Sequence, residues 1–412
     1  MSKLRHIGDM GEVSQEISSI DTVLLSAVAE NSGAGGYTPA LENVGTTPFL
    51  AMQVRQLKRL GFKNFLVEVD QVSGALIAIA DGLTAEGIDL EFIRDPKELS
   101  GHPEPAGRML VVAASVYIRD DMLARILDGD GPVIATVEGS EENEVFERID
   151  LNTRWSGVAV IDSLPADAIS EIPEGWSLPS ALLRQSLQSG VRQLPIAQPA
   201  LEAGNLLKVT SAAEMRALAK AKFQSSVRQQ RCAVGAFIFA PIAKLLVLNV
   251  ATTSNWLGLM SPIFAALALL ASFAGLAAIA LASGLVALFI LFMNKLILDF
   301  ENKKDTGQII RPLSWLLLAL ALAVVSWQQS HIEGIFAAAA LTGLLVHSHQ
   351  LPLAVERARL LPTPAFAAAV LLLLAIAGPF DLGLKALVIL QILALLVTQS
   401  MAQRDATGLN RP

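Results

Sequence analysis

The residues of this sequence best suited to chemistry are those that could contact a phosphate group. A glycine-rich loop, residues 29–38, follows the apolar run Thr22–Val28 and contains Gly33, Gly35 and Gly36. Glycine lets backbone N–H groups approach a phosphate closely, because it has no Cβ. Two interpretations are open: a nucleotide-binding loop, or a flexible surface loop.

Two pairs of cationic side chains are further candidates for phosphate or headgroup contact. Arg148 and Arg154 lie in a polar cluster of the acidic first half, and Lys303 and Lys304 follow a long apolar stretch. Guanidinium and ammonium groups are common phosphate ligands in proteins. The alternatives are solvated surface arginines for the first pair and a membrane-surface loop for the second.

The elements that would position these residues fall into two halves of opposite character. Residues 1–231 contain 21 of the 31 Lys and Arg residues and 31 of the 38 Asp and Glu residues. The acidic balance argues against a nucleic-acid partner, because counterion release from phosphates requires a basic surface. The single cysteine, Cys232, excludes an internal disulfide. The first residues lack an apolar signal-peptide core, so we expect a cytoplasmic first half.

The second half contains apolar stretches near the length needed to span a bilayer, about 20 residues. The block 256–293 carries no charge and is too long for one crossing, so we expect a turn at Gly275. The sequence predicts six spans, at about 256–274, 275–298, 312–328, 332–350, 363–380 and 383–400.

The charges between these spans predict the orientation. Six spans place all but one of the loop and tail cations on the side of the first half, and Lys385 on the other. This distribution obeys the positive-inside rule and predicts an inner-membrane protein with both termini in the cytoplasm. Residues 211–250 then become an amphipathic helix on the membrane surface, with Phe223 and Phe239 dipping inward. The expected domains are 1–200, a linker and surface helix at 201–250, and a membrane domain at 251–403.

The first half alternates short apolar runs with helical patterns. The runs are rich in Val, Leu and Ile without strict alternation, as expected for strands buried on both faces. Residues 48–60 between the first two runs have helical spacing. Alternation of strand and helix predicts an α/β domain with a mainly parallel sheet. The predicted strands are Thr22–Val28, Asn64–Val69, Met109–Ala114, Pro132–Val137 and Ser156–Ile161.

The order of motifs in this half resembles the nucleotidyltransferases that make sugar-nucleotides, including cytidylyltransferases, with a GT-A-like fold. The resemblance lies in the strand Leu24–Ala27, the glycine loop, Thr38–Leu41, Val44-Gly45 and Pro48–Leu50 opening a helix. It implies that the strands containing Leu24, Val67 and Val111 are adjacent at the centre of the sheet.

The charged residues of the resembled family are missing from these motifs. Ala40 stands where the family has the lysine that holds the triphosphate. Ala114 or Ser115 stands where the family has a metal-binding Asp after a strand. Neutral residues at both places provide neither phosphate neutralisation nor Mg²⁺ ligands.

The whole architecture resembles enzymes that fuse a cytidylyltransferase to a CDP-alcohol phosphatidyltransferase membrane domain. That family carries four Asp residues where its second span meets the cytoplasm, which bind two metal ions. The aligned positions here are Asp299, Asn302, Leu320 and Val324. One carboxylate of four remains, so Asp299 is at most a vestige of a metal site, and no catalytic residue can be assigned.

Three functions compete. The first is a diverged pseudoenzyme that binds or regulates an active enzyme of lipid-headgroup or polar phosphodiester synthesis. The second is an active transferase with relocated catalytic residues, which alone would require Mg²⁺. The third is a small transporter or flippase. Membrane lipid is the expected partner, and the resemblance implies a homodimer formed through the spans.

Overall fold

A computed structural model of the 412-residue chain describes most of both halves. The chain divides into two compact units, residues 1–219 and 220–412. The described residues are 20–29, 37–99, 107–129, 131–162, 169, 172, 176–229, 239, 254–301, 309–350 and 361–406. The predicted glycine loop and the predicted lysine pair at 303 and 304 lie outside these ranges.

Twelve strands occur among the described residues of the first unit. They include all five predicted strands, with boundaries shifted by a few residues. The strands are β1 Thr22–Ser26, β2 Asn43–Val44, β3 Thr47–Pro48, β4 Asn64–Glu68, β5 Leu90–Ile93, β6 Arg108–Val112, β7 Val116–Ile118, β8 Val133–Glu138, β9 Glu147–Arg148, β10 Thr153–Asp162, β11 Arg192–Pro195 and β12 Leu206–Lys208.

The main sheet has eight strands in the order β11-β8-β10-β6-β1-β4-β5, with β9 paired to β10. Strand β1 is parallel to β4 and β6, β4 is parallel to β5, and β8 is parallel to β11. Strand β10 is antiparallel to β6, β8 and β9. The predicted mainly parallel sheet is confirmed, and so is the adjacency of β6, β1 and β4, although β4 lies next to the edge strand β5 and not at the centre.

The central strands are buried on both faces, which explains their unbroken apolar runs. In β1, Val23 and Leu25 pack into one core, whereas Leu24 packs into a second core on the other face. The same division separates Phe65 from Leu66 in β4. Successive side chains of a strand point to opposite faces, so a strand between two helix layers must be apolar throughout.

The described part of the first half contains six α-helices beside the strands, and the last one continues past the boundary of the first unit. They are α1 Phe49–Arg59, α2 Gly74–Thr84, α3 Asp120–Leu127, α4 Leu178–Gln188, α5 Gln198–Glu202 and α6 Ala212–Gln229. Helix α1 confirms the predicted helix at 48–60. Phe223 of α6, expected to dip into the membrane, is buried within the protein at 3% exposure. It lies on a buried stripe with Met215 and Leu218, at helical spacing.

The second unit is helical throughout its described residues. Its helices are α7 Ser254–Phe273, α8 Ala277–Glu301, α9 Ile310–Gln350, α10 Pro364–Ala377 and α11 Phe380–Ala406. Three stretches are long and apolar enough to cross a membrane: Ala277–Glu301, Ile310–Ser348 and Phe380–Met401. Gly258–Phe273 and Pro364–Ala377 are shorter apolar helices. Gly275, with φ +76°, lies in the turn between α7 and α8, as predicted. The number of spans stays a prediction.

Helix α9 consists of two arms that reverse direction at His331. The backbone there is non-helical, with φ 51° and ψ −130°. Gly334 lies directly against the backbone carbonyl of Ser326, eight residues earlier. In a continuous helix these residues would be about 12 Å apart along the axis. The reversal therefore separates the predicted spans 312–328 and 332–350.

An ionic cluster joins this reversal to the start of α11. The Lys385 ammonium lies 3.0 Å from a Glu333 carboxylate oxygen and 2.9 Å from one of Asp381. The Ser330 hydroxyl donates to Asp381 at 2.5 Å. These residues place the His331 turn and the α10–α11 turn at the same end of the helical unit.

The orientation predicts the outcome of reporter fusions in the second unit. Fusions at Gln329 and Arg357 should report opposite sides of the membrane, because the second arm of α9 spans about 28 Å between them. A fusion at Ile309, which precedes the first arm, is the control and should agree with Arg357. The same side for Gln329 and Arg357 would contradict the six-span topology.

Candidate functional site

A small cavity lies at the carboxyl ends of β1 and β6, and we call it the switch-point cavity. Strands β4 and β5 follow on one side of β1 within the sheet, whereas the next strand of the main sheet, β6, pairs with the other side of β1. Open α/β sheets bind ligands where the strand order reverses in this way. The lining residues are Ser26, Val28, Ala29, Ala113, Ala114, Val116, Phe146, Glu147, Trp155, Gly157, Ser177, Ser180 and Lys208.

The switch-point cavity is small, with a volume of about 160 Å³. Small-molecule sites in proteins usually enclose about 300–1,000 Å³. Its inner wall is apolar, because Trp155 and Phe146 are both buried. The indole of Trp155 donates to the Val158 carbonyl at 3.1 Å, so its polar atom is already bonded.

A tight turn after β6 forms one wall of the cavity. Ser115 has φ +62°, and its hydroxyl donates to the Ala114 carbonyl at 2.6 Å. The Ala113 N–H donates to Gly157, a residue of β10 with φ +87°, at 2.8 Å. Ala113 and Ala114 line the cavity at this turn.

Two carboxylates hold the first turn of helix α4 beside the cavity. Glu68, at the end of β4, accepts from the Leu178 N–H at 2.5 Å and from the Ser26 hydroxyl at 2.6 Å. Glu147 accepts from the Ser180 hydroxyl at 2.6 Å. The Ser177 side chain at the N-cap makes no capping bond. Glu68 therefore satisfies a backbone N–H at the start of the helix that a capping side chain would otherwise bind, and Glu147 binds the side chain of Ser180 in the first turn.

Burial changes the titration of Glu68. The side chain is 8% exposed, and burial raises the pKa of its carboxyl above the ordinary value of 4.5, against the opposing hydrogen bonds from Ser26 and Leu178. Asp70 contributes a smaller upward shift. Desolvation disfavours the charged form of an acid.

Sequence reasoning did not single out Glu68, Glu147 or Lys208. A signal existed for Glu68, because an acidic residue closes a run that is otherwise apolar through Phe65, Leu66 and Val67. Such a residue is often buried with a specific partner. Lys208 had a weaker signal of the same kind, because it follows Leu206 and Leu207. Glu147 had none, because it lies in a mixed stretch and its partner Ser180 is 33 residues away.

The predicted pair of the first half, Arg148 and Arg154, is brought together as a cross-strand pair of β9 and β10, outside the switch-point cavity. Arg148 is exposed and donates to the Asp150 carbonyl at 3.0 Å. Arg154 donates to the Phe146 carbonyl at 3.0 Å. Both guanidinium groups thus bind backbone near the β9–β10 hairpin, and neither lines the switch-point cavity. Ala40 is buried in the apolar core of the domain, at 4% exposure.

In the helical unit, Asp299 is exposed near the end of α8. Leu320, aligned with a third metal-binding Asp, is 46% exposed and does not face the interior of the unit. Within the described part of the chain, no group of three His, Cys, Asp or Glu residues could hold a metal ion.

Solved structures similar to the soluble half are nucleotidyltransferases. The CTP:phosphocholine cytidylyltransferase of Streptococcus pneumoniae is 16% identical, covering 49% of this chain and 98% of that chain, with a TM-score of 0.35. The inositol-1-phosphate CTP transferase of T. maritima is 12% identical over 49% and 97%, with a TM-score of 0.34. The CMP:2-keto-3-deoxy-manno-octonic acid synthetase complexed with CTP is 14% identical over 50% and 98%, with a TM-score of 0.34.

These similarities are to the first half of the chain and concern its fold alone. No protein-family model matches the chain, and no curated protein matches it. The chain has an α/β half with a mainly parallel sheet, followed by a helical half whose described residues include three helices that could cross a membrane.

Proposed function

We propose that this chain is a membrane-bound binding protein built on a nucleotidyltransferase-like fold. In this proposal the soluble half does not transfer nucleotidyl groups. The chain instead acts beside an active enzyme of lipid-headgroup or polar phosphodiester synthesis, as its binding or regulatory partner.

The observation that carries this proposal is the occupied N-terminus of helix α4. A helix N-terminus next to a sheet switch point is a natural anion site. Here Glu68 already accepts a hydrogen bond from the N–H of Leu178, and Glu147 accepts one from the hydroxyl of Ser180. An incoming triphosphate would meet two carboxylates rather than free donors, and like charges at close range repel strongly in a partly buried site.

The remaining walls of the switch-point cavity support the same conclusion. Nucleotidyl transfer spreads negative charge over several phosphate oxygens, which metal ions or fixed cations must stabilise. The turn after β6 presents Ala113 and Ala114, and Ala40 is buried in the core. A cavity of about 160 Å³ is also small for a nucleotide.

For the helical half we propose a diverged CDP-alcohol phosphatidyltransferase-like domain in the inner membrane, with both termini cytoplasmic. Two observations support this proposal: the order of the apolar segments, and the position of Asp299 near the end of α8 that would face the cytoplasm. The exposed Leu320 argues that no metal pair forms there. A homodimer through the helices belongs to the same proposal.

One observation favours the second candidate, an active transferase with relocated catalytic residues. Glu147 and Lys208 both line the switch-point cavity. A carboxylate could act as a base or metal ligand and a lysine could bind phosphate. In that mechanism Glu147 would have to give up its bond to Ser180.

The decisive experiment is a transfer assay with the detergent-solubilised chain. CTP, a CDP-alcohol and candidate alcohol acceptors are supplied with Mg²⁺ or Mn²⁺, and product is followed by mass spectrometry. We expect no turnover above a protein-free control, while an intact transferase added to the same mixture confirms that product is detectable.

Three variants distinguish the candidates if turnover occurs. Loss of turnover in Glu147→Gln or Lys208→Ala would establish the relocated site at the switch-point cavity. Loss in Asp299→Asn would show a working metal site in the membrane half. Either result would overturn the binding-protein proposal.

A further inference from the structure

A groove of about 590 Å³ lies in the helical unit between α8, both arms of α9 and α10. We call it the amphipathic groove. Its floor is made of buried apolar residues, including Leu281, Val325, Leu341 and Leu371. Small side chains, such as Gly284 and Ala319, leave room between the helices. The volume falls in the usual range of ligand sites, about 300–1,000 Å³.

The charges of the groove are confined to one end. Among the described lining residues, Lys295 and Arg311 are the charged ones, and both are cations. Trp315 lies one helical turn after Arg311 on the same wall. Along α8 the groove runs from Leu281 to Lys295, about 21 Å at the helical rise per residue. It is therefore apolar over most of its length and cationic at one mouth.

We propose that the amphipathic groove binds an anionic glycerophospholipid of the surrounding bilayer. An acyl chain lies along Leu281, Val325 and Leu371, and the phosphate is held by Lys295 and Arg311. This inference rests on the membrane placement in the proposed function. It does not depend on the absence of nucleotidyl transfer.

Two physical arguments support a lipid over a water-soluble anion, and both cations are available to its phosphate. Contact between water and the apolar lining of the groove is unfavourable, because exposing apolar surface costs about 25 cal/mol of free energy per Å². Cations with a neighbouring tryptophan at the end of a span are typical of the headgroup region. Arg311 already interacts with another group of the protein. Because a guanidinium has five N–H donors, Arg311 can contact a phosphate and keep that interaction. Lys295 is exposed and has no ion pair with another described residue.

The test is native mass spectrometry of the full chain in mild detergent, titrated with palmitoyl-oleoyl phosphatidylglycerol or phosphatidylcholine. We expect the wild type to bind phosphatidylglycerol about ten-fold more tightly, from one or two cation–phosphate contacts. Lys295→Gln/Arg311→Gln should abolish this preference by weakening phosphatidylglycerol more than phosphatidylcholine, whose phosphate is offset by its own choline cation, and Lys295→Arg should retain it. Lys385→Gln, a cation at the opposite end of the unit, is the matched control and should behave as wild type.

A second variant tests the apolar part of the groove. Ala319→Phe places an aromatic ring in the groove and should weaken both lipids, with monodisperse elution confirming that the variant folds. Equal affinity of the wild type for both lipids would overturn the proposal. So would undiminished preference in the double variant, or displacement of bound lipid by millimolar inorganic phosphate. Recovery of the chain outside the membrane fraction would instead overturn the membrane placement itself.

Discussion

Replacing Glu68 by leucine should destabilise the soluble half by about 3 kcal/mol. The carboxylate accepts from Ser26 at 2.6 Å and from the Leu178 N–H at 2.5 Å, and both residues are buried. Leucine would leave two buried donors without partners, and each such donor costs about 1–3 kcal/mol. Urea unfolding of the detergent-solubilised chain, followed by near-ultraviolet circular dichroism, measures the loss.

Glu68→Gln is the matched control for this prediction. Its amide oxygen can accept from Leu178 and its NH₂ can donate to the Ser26 hydroxyl, which both donates and accepts. We therefore expect a loss well below that of the leucine variant. Equal losses in the two variants would show that shape rather than hydrogen bonding makes Glu68 necessary.

The same pair of proteins predicts a pH dependence. Burial raises the pKa of Glu68, so the folded state binds this proton more tightly than the unfolded state. The contribution of Glu68 to stability is full below the ordinary carboxyl pKa and decreases as pH rises through the raised pKa. Glu68→Gln lacks this titration, so its stability relative to the wild type should increase across that pH range. A constant difference would contradict the buried, titrating carboxyl.

Gly157→Ala should destabilise the soluble half by about 4 kcal/mol. The residue has φ +87°, a conformation that costs an L-residue about 1–2 kcal/mol. Its new Cβ would lie 2.5 Å from a Val116 methyl and 3.4 Å from the Ala113 Cβ. Overpacking in a rigid core typically costs a further 1–3 kcal/mol, about as much as the backbone strain. Thermal unfolding measures the loss.

Gly190→Ala separates the two causes. Gly190 has φ +73°, and nothing lies within 4 Å of the added Cβ. It should therefore show only the backbone strain, about 1–2 kcal/mol. The difference in lost stability between Gly157→Ala and Gly190→Ala would measure how tightly the turn after β6 is packed. A Gly157→Ala variant no less stable than Gly190→Ala would refute that packing.

The hydrophobic pattern alone predicted five of the described strands, helix α1 and the apolar helices of the second half. The apolar runs of β1, β4 and β6 predict buried strands, because a strand between two helix layers must be apolar on both faces. The apolar lengths predict the helices of the second half, and Gly275 predicts their first turn. Pattern could not show that β10 enters the sheet antiparallel between β6 and β8, since pairing partners are chosen by the whole sheet.

The residues that form the switch-point cavity and the amphipathic groove were determined by the tertiary structure. Glu68 reaches a helix that begins 110 residues later, and Lys295 and Arg311 come from two different helices. Sequence reasoning instead chose Arg148 and Arg154, whose guanidinium groups bind nearby backbone. Periodicity and composition are local properties of a chain, and they determine which segments are buried. A site forms where distant segments converge, so its members are decided by packing.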